Sequence, residues 1–491
     1  MENQKTKIIS IASIIALALT LVTATFAYFM AQTGEGKSTD IKINASTVDT
    51  FTFETGSAIS FSLNQDNFAS GKGNQTGTTF AKAMLTANNK TNTATEHYYM
   101  YLNISENTFT YTQNENTPEI LLTIKDGSNN EITSINGLTH KTVTDGKGTS
   151  ISGFDITKKS GLITILNNRE ITTTSSKTEE WNVTVTFVNY NSNQAGNAGK
   201  NFSAKLMIQK EKIPTVLSDV CTSGNNLATC ITTLSNKSEP SIVNIYHHTS
   251  SLANGAGDNS YRYAGASDSV NNYICLGSDE ATCPEANLFR IIGVFGDKTK
   301  VIRAKSIGGI QNWDTNGSNT WSTSSLNTYL NGEYLTSLGT LAEKIATTTW
   351  KVGGGSWANI GTSVPKTAYQ YEVGSSASST TVNKKIGLMY VSDYYYSASP
   401  SAWTLVGFNS SDETKDYRAA TSTNWLYLSS FEWTISRLSD DTFNAFAVYN
   451  TGRVNNNFVT NSNAVRPSFN LESSVKYVSG SGSMSDPIRI N

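Results

Sequence analysis

WNVTVTFV, residues 181–188, alternates Trp181, Val183, Val185 and Phe187 with Asn182, Thr184 and Thr186. Side chains on a strand point to opposite faces in turn, so this stretch sends four large apolar groups into a core and three short polar ones the other way. The same period of two recurs upstream, where Tyr98, Met100, Leu102 and Ile104 alternate with His97, Tyr99, Tyr101 and Asn103. It recurs again in Phe202, Ala204, Leu206 and Ile208. Between EILLTIK and EITSI, Asp126-Gly127-Ser128-Asn129 reads as a hairpin turn. Pro118 is the one proline between residues 38 and 210, as continuous ladders require. Strands without an intervening helical pattern predict an antiparallel β-sandwich over residues 32–210.

Composition agrees with a β-rich fold. Thr, Ser, Asn and Gly crowd the chain in TGTTF, TNTATE and VNNNFVTNSN, types that suit strand faces and turns. The 22 Tyr, 19 Phe and 8 Trp are far too many for a disordered chain. With 15% charged residues and a net charge of −2 there is no basic stripe, which argues against a nucleic-acid partner. At 491 residues the chain can bury more than one core.

Lys5 and Lys7 precede a charge-free apolar run from Ile8 to Ala31. Its length matches the roughly 20 residues of a membrane-crossing helix, and the lysines favour a cytoplasmic N-terminus. Thr25-Phe26-Ala27 also resembles a signal-peptidase site, with the cut after Ala27. Residues 1–31 are therefore read as a signal peptide or a membrane anchor, and the remainder as extracytoplasmic: at the cell surface on a single-pass anchor, or secreted. Cys221, Cys230, Cys275 and Cys283 fall as two close pairs, favouring disulfides Cys221–Cys230 and Cys275–Cys283 in an oxidising compartment. A zinc site is the rival, but the spacings are wider than metal ligands use.

At Glu211-Lys212-Ile213-Pro214 the pattern changes. Residues 211–260, with turn residues and the first cysteine pair, read as a linker subdomain; residues 261–491 read as an α+β, loop-rich, lectin-like domain. There NLFRIIGVFGDKTKVIRAKS predicts a hairpin turning at Gly296-Asp297. STSSLNTYLNGEYLTSL predicts a helix with Leu326, Tyr329, Leu330 and Tyr334 on one face and Ser322 or Ser324 as its cap. AVRPSFNLESSVKYV returns as a strand.

TATFAYF ahead of a strand-rich region resembles the camelysin-like and TasA-like exported matrix-fibre proteins of Gram-positive bacteria. That resemblance, over residues 1–210, implies a jelly-roll-like sandwich and self-assembly. None of the four histidines stands in H-E-x-x-H, so peptidase activity is not carried over. The later half resembles a domain of unknown function of Firmicutes surface proteins. The carrying residues are Phe289-Arg290-Ile291-Ile292-Gly293, Trp321, Ser324-Ser325-Leu326, Tyr329-Leu330-Asn331, Glu432-Trp433, Val465-Arg466-Pro467, Gly480-Ser481-Gly482 and Asp486-Pro487. More distantly it resembles C-type-lectin-like and formylglycine-generating-enzyme-like folds. The enzymes of that group need reactive cysteines in the domain core, whereas here both cysteines of this half precede the helix.

No nucleophile–base–orienter set stands out. His247-His248 is the most suggestive pair, yet neighbours on an extended chain point to opposite sides. Asp314, Asn316 and Ser318 space their oxygens like the start of a calcium loop, while Asn319 and Ser325 stand where an EF-hand needs Gly and Glu; an ordinary Asx turn is the other reading. Tyr394, Tyr395, Tyr396 and Trp403 are the candidate ligand-binding residues: so many neighbouring aromatics cannot all point inward, so some of them are expected to meet solvent or a partner. Arg466 and Glu432 are expected to form a buried ion pair. Function is therefore read as non-catalytic adhesion or ligand recognition by an exported bacterial surface or matrix protein, with a glycan or protein ligand. No cofactor is expected, calcium being the one cation the spacing admits. The alternatives are an exported enzyme acting on glycans or peptides through the C-terminal domain, and a structural fibre subunit.

Overall fold

The computed structural model describes residues 49–68, 71–88 and 92–491. Both the Ile8–Ala31 segment and the Ala27 cleavage site lie outside the described residues. Among those described, no helix is long and apolar enough to cross a membrane. The chain forms two compact units, divided between Lys212 and Ile213.

The first unit is built from β1 (Thr50–Thr55), β2 (Ile59–Ser62), β3 (Gln75–Thr86), β4 (Ala94–Asn107) and β5 (Ile120–Asp126). It continues through β6 (His140–Thr144), β7 (Ser150–Asp155), β8 (Gly161–Thr173), β9 (Ser176–Phe187) and β10 (Asn201–Gln209). One sheet runs β1-β3-β9-β5-β7-β6 and the other β2-β10-β4-β8. The pairings are antiparallel. Strand β9 carries the 181–187 alternation and sits between β3 and β5, with Val183 opposite Thr79 and Ile124. Trp181, Val183, Val185 and Phe187 share one buried cluster with Met100, Leu102 and Ile104 of β4 and Leu206 of β10, so the two sheets enclose a common core. Tyr101 and Asn103, on the opposite face of β4, are buried as well.

The Asp126 turn forms, with the Asp126 carboxylate accepting from the Ser128 and Asn130 amides and Asn129 at φ 68°. Its return strand does not. Pairing stops at the Lys125–Glu131 bridge, and further along the same strand β7 occupies the edge of β5 at Leu121 and Leu122.

In the second unit a helix spans Leu227–Lys237, capped by the Asn226 side-chain Oδ1, which accepts from the Thr229 amide at 2.9 Å. Strands β11 (Ile245–His247), β12 (Tyr261–Tyr263), β13 (Tyr273–Cys275), β14 (Leu288–Phe295) and β15 (Lys298–Arg303) follow. The sheet order is β11-β12-β14-β15, then Ser468–Asn470, then Ile386–Gly387, with β13 also on β14. Leu217, Leu227, Ile231, Leu234, Val243 and Ile245 all join the main core of this unit. Residues 213–260 are thus part of that core and not a linker subdomain: the helix needs an apolar surface for its buried face, and the sheet supplies it. The predicted hairpin turns at Gly296, φ 63°. Ser324 caps the predicted helix, which runs through Ser325–Tyr329, a π turn at Leu330–Tyr334 and Leu335–Ser337. Asn331 docks it by bonding both the amide and the carbonyl of Ile386. The terminal segment returns to the sheet through Ser468–Asn470 on β15.

Candidate functional site

Tyr394, Tyr395 and Tyr396 lie on the helix Val391–Tyr396, every residue of which is buried. Each phenol donates to a backbone carbonyl: Tyr394 to Gly452 at 2.8 Å, Tyr395 to Ile360 at 3.0 Å, Tyr396 to Asn254 at 3.2 Å. Trp403 is buried too and donates from Nε1 to Ala398 at 2.9 Å. The expectation that some of these four, as ligand-binding residues, meet solvent or a partner is corrected. A helix surrounded on all sides can bury consecutive aromatics when each polar tip reaches a carbonyl.

Asp314 does not present its carboxylate to a cation. Oδ2 accepts from the amides of Asn316 and Ser318 at 3.1 and 2.9 Å, and Oδ1 from Ser325 at 3.0 Å. The Asp314-Asn316-Ser318 spacing is an Asx turn that also secures the start of the helix, with Gly317 at φ 79°. Among the described residues, no group of three His, Cys, Asp or Glu could hold a metal. His247 stacks on Tyr261 with centroids 4.0 Å apart, whereas buried His248 packs against Tyr396 and Trp403. Both expected disulfides are present, Cys221–Cys230 and Cys275–Cys283, with Cα separations of 5.6 and 5.8 Å.

Two polar networks hold the interior. Arg466 grips Glu432 through Nε–Oε1 at 2.6 Å and Nη2–Oε2 at 2.8 Å, both side chains 1% exposed. Nearby, the Arg290 guanidinium lies between the rings of Tyr273 and Trp425, at 4.2 and 4.6 Å. It donates to neutral oxygens, Asn272 Oδ1 at 2.6 Å and Ser267 Oγ at 2.7 Å among them. Burial, together with Arg466, lowers its pKa to about 10. The second network centres on Arg262, ringed by Phe295, Tyr369 and Tyr396 and bonded from Nη2 to Asp258 at 2.7 Å. Burial acts to raise the Asp258 carboxyl, but Arg262 and Ser260 outweigh it and hold it down at about 2. On its other side Arg262 faces Asp393, which also takes Lys300. The residues that carried the family resemblance, Arg290, Trp321, Glu432, Trp433 and Arg466, are therefore interior supports.

A cleft of about 590 Å³ opens in the second unit. Its walls come from the Cys275–Cys283 loop, from Thr340, Leu341 and Lys344, and from the paired strands Tyr477–Ser479 and Arg489–Ile490 with the turn between them. Arg489 fastens the disulfide loop, donating from Nη1 to the Ser278 carbonyl at 2.9 Å and from Nη2 to Glu280 at 2.8 Å. Gly480 and Gly482, at φ 97° and 90°, shape the turn, and the Asp486 carboxylate accepts from the Ser481 amide at 2.8 Å. Asp279, Glu280 and Lys344 line the space with charge, and no aromatic ring does. Sequence reasoning missed this cleft. Its one signal was Gly480-Ser481-Gly482 with Asp486-Pro487, which the fold places in one wall.

Residues 296–473 match a family described as a domain of unknown function (DUF6273). No curated protein matches the chain. The matched span holds Trp321, Glu432 and Arg466, while most of the cleft, at 275–281 and 478–491, flanks it.

Proposed function

We propose that this chain is an exported, surface-associated protein whose second unit recognises a polypeptide ligand without transforming it. The observation that carries the reading is the cleft, whose polar wall is braced by a disulfide and by Arg489. A wall of strands, backbone groups and unlike charges suits an extended peptide. A glycan site would draw on an aromatic platform, and none lines this space. The two disulfides support an oxidising, extracytoplasmic setting.

The test is a peptide-array and glycan-array screen of the whole oxidised chain. Saturable peptide binding, weakened at least tenfold by Lys344→Glu or by Asp279→Lys with Glu280→Lys, is the expected result. Binding to glycans alone, or peptide binding indifferent to those changes, overturns the reading.

A further inference from the structure

Lys300 of β15 and Asp393 of the helix Val391–Tyr396 meet in the interior of the second unit. Nζ stands 2.6 Å from Oδ2, and the two side chains are 6% and 2% exposed. Three rings wall the contact: the Nζ of Lys300 is 4.6 Å from the centroid of Tyr390, 5.4 Å from Trp350 and 5.6 Å from Phe295. The carboxyl cannot swing away. Its Oδ2 also accepts from the Tyr390 amide at 2.8 Å, capping its own helix, and its Oδ1 faces Arg262 Nη1 at 3.6 Å. Arg262 is fixed in turn by Asp258 and by Ser260 Oγ at 2.8 Å.

We propose that Lys300 and Asp393 condense in the folded chain into an intramolecular amide crosslink. In a dry cage an ammonium–carboxylate pair can pass one proton from Nζ to Oδ2, leaving a neutral amine beside a neutral acid. The amine lone pair attacks Cγ and forms the N–C bond, while Oδ1 takes up the negative charge opposite the Arg262 guanidinium. A second proton passes from nitrogen to Oδ2, the Cγ–Oδ2 bond breaks, and water leaves. One hydrogen stays on the amide nitrogen, so atoms and charge balance without an oxidant or co-reactant. Burial lowers the Lys300 pKa, the direction that frees the amine, though Asp393 opposes it. The bond would tie together two elements 93 residues apart. It does not depend on the ligand reading of the cleft.

Mass spectrometry of the whole chain decides it. The expected intact mass is one water below that of the sequence with its two disulfides, and proteolysis releases a branched peptide joining the segments around Lys300 and Asp393. Lys300→Arg and Asp393→Ala each restore the missing water. A wild-type chain of full mass, with both residues recovered in separate linear peptides, overturns the proposal. So does a water lost at any other site. Because the decisive spectrum is that of the wild type, variants that fail to fold leave the test intact.

Discussion

Glu432 and Arg466 show how a single side chain can carry stability here. Each spends its charge on the other in an environment that offers no water, so removing one strands its partner. Glu432→Ala is expected to cost about 3–5 kcal/mol in denaturant unfolding, and Glu432→Met with Arg466→Met to recover most of that loss. Asp258 carries a pH dependence whose sign follows from its lowered pKa. Its ordinary value of 3.8 falls to about 2 on folding, so the contribution is present above pH 3.8 and lost as pH drops towards 2. Asp258→Asn is expected to remove about 2 kcal/mol at neutral pH and to flatten the acid limb of a stability–pH curve. Asp314→Ala, which deletes acceptors for three amides, is expected to cost about 1–3 kcal/mol, equally with and without added calcium. A calcium-dependent shift in the wild-type melting temperature would restore the metal reading.

At the scale of elements, the pairing of β12 with β14 explains the glycine that ends Phe289-Arg290-Ile291-Ile292-Gly293. A β-carbon on Gly293 would stand 2.2 Å from the Tyr261 carbonyl oxygen, backbone that cannot yield, next to the irregularity in the β14–β15 ladder. Gly293→Ala is therefore expected to destabilise the second unit by about 1–3 kcal/mol, visible as faster amide exchange in β12 and β14. The strand and helix patterns at 181–187 and 325–337 were legible because each has one buried face, and periodicity reports that. The return strand after Asp126 was not: how far a strand pairs depends on what else lies along the same edge, and β7 lies there at Leu121 and Leu122. The helix at 391–396 defeated the pattern for a related reason. Buried on every side, it has no polar face to give a period.

Across the whole molecule, the four cysteines lie in the second unit, each disulfide spanning a separation of 8 or 9 residues. Reduction is expected to lower the stability of that unit by about 2–3 kcal/mol per bond, and to leave exchange protection in β3 and β9 of the first unit unchanged. The sequence by itself determined the β-rich character of the chain, its two cysteine pairs, the Arg466–Glu432 pair and the change of character near Lys212. All of these follow from local spacing, composition or the need of a buried charge for a partner. Only the tertiary structure decided that residues 213–260 enter the core, that Tyr394, Tyr395, Tyr396 and Trp403 all turn inward, and that Asp314 serves a turn. It alone brought Lys300 to Asp393 and assembled the cleft from three distant stretches. Burial and long-range contact depend on what other elements supply from across the fold, and no window of neighbouring residues carries that information.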